Sequence, residues 1–364
     1  MLRGAVMAGY SQYTEPGPEP EQDSEQERQL SLAVDFLKQG LLVAFPTETV
    51  YGLGADAASE EALARLYAVK GRPTSHPVIV HLSRMEELEQ WSRGPLELAF
   101  RLAEQFWPGP MTLILPRAAN VSLSLTGGQD SVGLRIPSHP LALALLSRSG
   151  PLAAPSANKF GKLSPTTAEA VRQGLGSEVA AVLDGGPCQV GIESTIISLL
   201  HEVPHILRPG MLLPEDVAAA CGLEVVLSYL PDHSSPVVKA PGTLPSHYSP
   251  DTPVVLVAQE DLQSTLEELT LAGLSIALLV FQQNAALADR GCVAESLVVE
   301  PSAEPYARLL YARLKSLDQP GRSYIIVEKP PLGQAWDGVN DRLRRAAHGN
   351  HLPALRGPDL EKQP

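Results

Sequence analysis

The sequence predicts an α/β protein in two parts: a twisted open-sheet α/β domain, then a proline-rich linker and a smaller Rossmann-like domain. Three observations carry this expectation. The chain has 364 residues, long for one core and comfortable for two. Short apolar strands alternate with helical segments over its first part, the pattern of layered α/β folds. Five prolines between Pro231 and Pro250 then break every period, and a regular strand–helix alternation follows. The expected segments are an acidic flexible tail over 1–29, an α/β domain over 30–222, a linker over 223–250, a Rossmann-like domain over 251–347 and a loose tail over 348–364.

Taken in order, Glu15, Glu19, Glu21, Asp23, Glu25 and Glu27 alternate with Pro16, Pro18 and Pro20, too polar a stretch to fold by burial. Periodic structure is expected from Leu30. Leu41 to Phe45 reads as a buried strand ended by Pro46. Ser59 caps a helix with Glu60 and Glu61 in its first turn and Gly71 past its end. Val78 to Leu82 is a strand, 95–107 an amphipathic helix stopped by Pro108-Gly109-Pro110, and Met111 to Leu115 a strand. Strands at Val132–Ile136, Leu152–Ala154, Ala181–Leu183 and Thr195–Leu199 complete the sheet. One helix follows Ser138, and another follows a cap at Ser164 or Thr166. After the linker come strands at Val254–Val257, Ser275–Phe281 and Tyr324–Val327, with helices near 259–271, 303–317 and 336–347. No G-x-G-x-x-G is present, so the second domain's class brings no dinucleotide with it.

Composition removes several function classes. A net charge of −13 argues against broad electrostatic binding to nucleic acid, so no stable nucleic-acid complex is expected. Cys188, Cys221 and Cys292 are widely separated and odd in number, with neither a disulfide framework nor a zinc pattern. No apolar run approaches the ~18 residues of a membrane span, and the start of the chain lacks a signal-peptide pattern. A cytoplasmic location without membrane association is expected. His201-Glu202-Val203-Pro204-His205 fits the H-E-x-x-H zinc pattern, but Pro204 and the flanking β-type runs favour a hairpin turn.

The chemistry-bearing motifs concentrate in the first domain and the linker. Pro46-Thr47-Glu48-Thr49-Val50-Tyr51-Gly52-Leu53-Gly54 leaves a buried strand, and its glycines admit a close approach. Lys70-Gly71-Arg72 ends a helix where a guanidinium can be presented to a phosphate or carboxylate. His76 and His81 follow around a strand. Arg135 interrupts an apolar strand, so it needs an internal carboxylate or an anionic ligand, and the sequence leaves both open. Pro155-Ser156-Ala157-Asn158 and Ser164 lead into a helix N-terminus suited to anions. Ser194 opens a strand, Arg208 closes one, and His247-Tyr248-Ser249-Pro250 stands in the linker, where a spacer needs neither ring.

Together these motifs resemble the Sua5/YrdC family of threonylcarbamoyl-AMP synthases in its two-domain form. The resemblance also uses Trp107-Pro108-Gly109-Pro110-Met111-Thr112, Leu134-Arg135-Ile136-Pro137 and Leu207-Arg208-Pro209-Gly210, all in family order. It implies a YrdC-like fold and the joining of L-threonine, bicarbonate and ATP into threonylcarbamoyl-AMP and pyrophosphate, for t6A37 modification of ANN-decoding tRNAs. A tRNA threonylcarbamoyl transferase complex would be the downstream partner. Carried over, Lys70 and Arg72 would be catalytic and face ATP phosphates or bicarbonate. His76, Ser131, Ser156, Asn158, Ser164, Arg208 and His247 would hold the nucleotide. Thr49, His81, Arg135, Ala154 and Ser194 would surround threonine, with Met111 and Thr112 beside them. His247 and Tyr248 would form a lid, and Mg²⁺ would arrive with ATP rather than in a protein site. Leu244 stands where relatives often carry lysine, which weakens the expectation of linker–phosphate contact. An RNA-binding module, a hydrogenase-maturation carbamoyl-transfer domain and a non-catalytic nucleotide-binding paralogue are the rivals, the last opposed by the intact Lys70, Arg72, Ser156, Asn158 and lid motif. The acidic composition opposes the first, and the lack of C-x-x-C pairs opposes the second.

Overall fold

The computed structural model describes residues 20–229 and 238–352. The expected tail over 1–19, the linker stretch 230–237 and the tail 353–364 lie outside them. Leu30, Ala33, Val34 and Leu37 recur at helical spacing, and their helix, Pro20–Lys38, packs them against helix Pro140–Ser149. This helix corrects the expected boundary at 29, because it continues ten residues upstream of its buried stripe. Its first turns are acidic, which suits the helix dipole. Glu25 pairs with Arg28, and Glu27 reaches Arg148 on the neighbouring helix.

The first domain is one sheet of ten strands among the described residues: β1 (Val43–Phe45), β2 (Gly52–Asp56), β3 (Ile79–His81), β4 (Met111–Pro116), β5 (Ser131–Arg135), β6 (Leu152–Ala153), β7 (Ala181–Val182), β8 (Thr195–Ser198), β9 (His205–Arg208) and β10 (Val226–Leu227). Their order is β10-β9-β8-β4-β5-β3-β6-β2-β1-β7, with parallel and antiparallel pairs mixed. Apolar residues bury against both faces. Two expectations need correction here. The glycine-bearing stretch after Pro46 is a hairpin into β2, where the Phe45 ring packs across Gly52 and Gly54 so closely that a Cβ would stand 3.1–3.2 Å from it. The helix after the Ser164 segment, Ala168–Leu175, is capped by Thr167, because the Ser164 hydroxyl is engaged elsewhere. Ser59 and Gly71 cap helix Glu60–Lys70 as the sequence predicts. His201 and His205 flank the turn between antiparallel β8 and β9, so the zinc-helix pattern does not form.

The second domain has four parallel strands, β11 (Val254–Val257), β12 (Ile276–Phe281), β13 (Val293–Val299) and β14 (Tyr324–Glu328), ordered β11-β14-β12-β13. Residues 348–352 follow its last helix, Asp337–Ala346, and are not a loose tail. Asn350 donates to the Val254 carbonyl and Leu352 packs on the core. The two domains share one apolar cluster, in which Val50, Ile192 and Tyr248 meet Tyr306, Leu310, Tyr311, Val339 and Leu343. At this seam a Cβ on Gly191 would fall 2.3 Å from the Arg308 carbonyl oxygen, so only glycine permits the approach of helix Ala303–Leu317.

Candidate active site

His81 and Arg135 are register partners at the C-terminal ends of parallel β3 and β5. Ser194 precedes β8 and Arg208 ends antiparallel β9, which brings all four to the same end of these interior strands. Residues 238–250 cross over this end as a strap. The cavity they enclose is lined by Thr47, Arg72, His81, Arg135, Ala154, Ser156, Glu193, Ser194, Arg208, Gly242, His247 and Tyr248, among others. Its volume is about 50 Å³, against the ~300–1,000 Å³ usual for a pocket holding a small molecule. The strap lies down on the site and leaves little free space beneath it, without sealing it from solvent.

Three guanidinium groups face this cavity. Arg135 Nη2 donates to Glu48 Oε1 at 2.6 Å with both side chains buried, so the internal carboxylate is present and Arg135 still borders the cavity. Glu48 is also held by the Ser138 amide. Arg72 donates to the Pro77 carbonyl at 2.7 Å and lies 5.5 Å from the Phe160 ring centre. Burial lowers its pKa to about 10. Arg208 grips the Ser194 carbonyl through Nε and Nη2 and the Pro241 carbonyl of the strap through Nη1. Ser194 Oγ lies 2.7 Å from Thr112 Oγ1.

Lys70 is buried, and its ammonium donates to the carbonyls of Ser156 and Asn158 at 2.5 and 2.6 Å. It pins the Pro155–Asn158 turn under the cavity rather than lining it. Burial first, then the nearby charge of Arg72, pushes its pKa well down. Thr49 is buried behind the wall, bonded to Thr47. His76 stacks edge-on against Phe160 and Ser131 opens β5, so neither lines the cavity. Asn158 and Ser164 line a larger cavity of about 560 Å³ between the domains. Among the described residues, four buried polar atoms around the site have no hydrogen-bond partner: His81 Nδ1, Asn158 Oδ1, His247 Nδ1 and Tyr248 Oη. Buried groups of this kind are costly unless something binds them, and each belongs to a residue the motifs single out.

The strap is built by contacts from both domains. The Gln129 side chain bonds both backbone groups of Lys239. Arg345 donates to the Leu244 carbonyl, and the Ser249 amide to the Gly161 carbonyl. His247 and Tyr248 pack ring to ring at 4.1 Å, with Phe160 on the far side of His247. Gly242 has φ 74°, and a Cβ there would lie 2.0 Å from Tyr248 Oη.

Several residues of the site are not apparent from sequence. Glu193 lies inside a quoted motif yet reads as an ordinary strand-opening acid. It accepts from Ser164 Oγ, Tyr311 Oη and Arg342 Nε. Burial raises its pKa, but the charges of Arg342 and Arg208 and the Ser164 bond bring it down to about 2. Phe160, Tyr311, Arg342 and Arg345 carry no motif signal, because their roles depend on which domain surfaces meet.

Comparisons with known proteins agree with this architecture. A family model for Sua5, YciO and YrdC proteins, described as telomere recombination, matches residues 35–210. One described as the threonylcarbamoyl-AMP synthase C-terminal domain matches 214–348. Threonylcarbamoyl-AMP synthases of Bacillus subtilis and Pyrococcus abyssi are each 38% identical over 88% of this chain, covering 93% and 95% of their own lengths. The crystal structure of P. abyssi Sua5 complexed with L-threonine superposes with a TM-score of 0.81 at 35% identity, covering 88% of this chain and 94% of that one. A variant of that protein with an adjacent His–Tyr pair replaced by alanines gives 0.79, at 35% identity, covering 88% and 93%. The chain belongs to the Sua5/YrdC family, in its two-domain form.

Proposed function

We propose that this chain forms threonylcarbamoyl-AMP and pyrophosphate from L-threonine, bicarbonate and ATP, supplying t6A37 modification of ANN-decoding tRNAs. The observation that carries this reading is the concentration of Arg72, Arg135 and Arg208 on one strap-covered cavity in a chain of net charge −13. Such a cavity suits a carboxylate and a polyphosphate together.

Threonine's amine attacks the carbon of bicarbonate or CO₂ to give a carbamate, water leaving in the bicarbonate case. A carbamate oxygen then attacks the α-phosphorus, and its bond to the β-phosphate oxygen breaks to release pyrophosphate. No protein nucleophile is needed. Arg135, beside His81 and Ser194, is assigned to threonine, with Thr49 and Ala154 shaping that end. Arg72 and Arg208 are assigned to the phosphates with Ser156 and His247, while Lys70 holds the turn that presents Ser156 and Asn158. His76, Ser131 and Ser164 are assigned to the outer part of the nucleotide. The strap shields the carbamate and the mixed anhydride, both readily hydrolysed, from bulk water. Mg²⁺ is assigned to the phosphates of ATP, whose charge it would neutralise, and no step is routed through it. The product is labile, so transfer to the tRNA threonylcarbamoyl transferase complex follows.

Pyrophosphate release by the purified chain, with and without L-threonine and bicarbonate, tests the reading. Release that requires both and is lost in Arg72→Ala supports it. Release indifferent to threonine, or none, refutes it.

A further inference from the structure

Arg342 lies in helix Asp337–Ala346 of the second domain, and its side chain has no exposed surface. All three of its guanidinium nitrogens are used. Nε donates to Glu193 Oε2 at 2.8 Å, Nη2 to the Glu193 carbonyl at 3.0 Å, and Nη1 to the Pro209 carbonyl at 2.8 Å and Asp341 Oδ2 at 2.9 Å. Its carbon centre stands 5.4 Å from the Tyr248 ring. These partners are successive parts of the cavity wall. Glu193 lines it and precedes Ser194, Pro209 follows Arg208, and Tyr248 belongs to the strap. Asp341 also pairs with Arg345, which holds the strap at Leu244.

We infer that Arg342 is a positioning residue of the active site, supplied by the second domain, that fixes the Glu193–Ser194–Arg208 wall against the strap. The inference rests on the synthase reading for its kinetic consequence but not for its geometry. Only a planar fork satisfies the Glu193 carboxylate, two backbone carbonyls and the Tyr248 face together, and an ammonium offers no such set of directions. Glu193 in turn accepts from Ser164 and Tyr311, so moving its carboxylate disturbs three contacts at once. A purely stabilising ion pair would predict something different. Any substitution that left the fold intact would then leave the catalytic parameters alone.

The test uses the full chain with Arg342→Lys, which keeps a charge beside Glu193, and Arg342→Met, which removes it. Thermal midpoint, kcat, the KM for ATP and the rate of tryptic cleavage after Lys239 are measured for each. Lys239 is exposed on the strap, so its cleavage reports strap position without any substrate. The expected result for Arg342→Lys is a folded protein with a lowered midpoint, a kcat lowered about tenfold to a hundredfold at temperatures where it is fully folded, and faster cleavage after Lys239. Arg342→Met is expected to be worse in each respect. A folded Arg342→Lys protein with native kcat, KM and cleavage rate overturns the inference, whatever Arg342→Met does. If the native chain shows no threonine-dependent pyrophosphate release, the synthase reading fails, while the cleavage rates still decide the role of Arg342.

Discussion

Tyr248 has φ 59° and is the one described non-glycine residue with a positive φ. Holding a tyrosine there costs about 1–3 kcal/mol, so the surrounding contacts must fix it. They do so by stacking it between His247, Tyr311 and Arg342. Gly242 closes the same arrangement from the other side. Gly242→Ala is expected to fold but hold the strap open, because its methyl would meet Tyr248 Oη and the Arg208 guanidinium. Pyrophosphate release should fall at least about tenfold, and the thermal midpoint should fall with it, since Tyr248 belongs to the buried seam between the domains. An equally active variant would show that the strap need not close this way. His247 supplies a pH dependence. Burial lowers its pKa from 6.5 to about 3, against the pull of Glu193 and with a further push from Arg72, Lys70 and Arg208. Between those values the unfolded or open state takes a proton that the closed state refuses. The stabilisation is therefore complete above pH 6.5 and declines as pH falls through it. The midpoint should drop between about pH 7.5 and 5, and His247→Gln should drop less. Equal drops would remove His247 as the cause.

The N-terminal helix makes a separate prediction, on stability alone. Leu37 is buried against helix Pro140–Ser149, so Leu37→Ala should cost about 2–5 kcal/mol in denaturant unfolding. Glu27→Ala should cost less than about 1 kcal/mol, because its pair with Arg148 is solvated on both sides. A reversed ranking would mean that the ion pair, not the apolar stripe, attaches the helix. The stripe is readable from Leu30 onward, but the acidic turns before it are not, because their helicity depends on the packed turns that follow. Buried strands such as β4 and β12 were legible as apolar runs. β2 was not, because its glycines weaken a strand signal and make sense only under the Phe45 ring. β13 was not either, because it is an edge strand with Glu295 and Ser296 in its middle and no continuous apolar run. In the site, cations in motifs could be picked out, whereas Glu48 as the partner of Arg135 and Arg342 as the partner of Glu193 could not. Those pairs join residues 87 and 149 positions apart, and no local pattern carries such a distance.

The two domains are sequential in the chain but not independent in packing. One apolar cluster contains Val50 and Ile192 from the first and Leu310, Leu314, Val339 and Leu343 from the second. Arg342 and Glu193 bury a charge pair across the same seam. Separating the domains would expose that apolar surface to water, at a cost of several kcal/mol. Calorimetry should therefore show a single unfolding transition, and two resolved transitions would contradict a shared core. About 50 Å³ of free space beneath the strap is too little for a nucleotide, so binding one requires the strap to shift. That excursion drags Tyr248, His247 and the Arg345 tether through solvent. Where this motion limits turnover, added sucrose slows the native chain in proportion to viscosity and leaves an Arg345→Ala chain, its tether cut, much less affected.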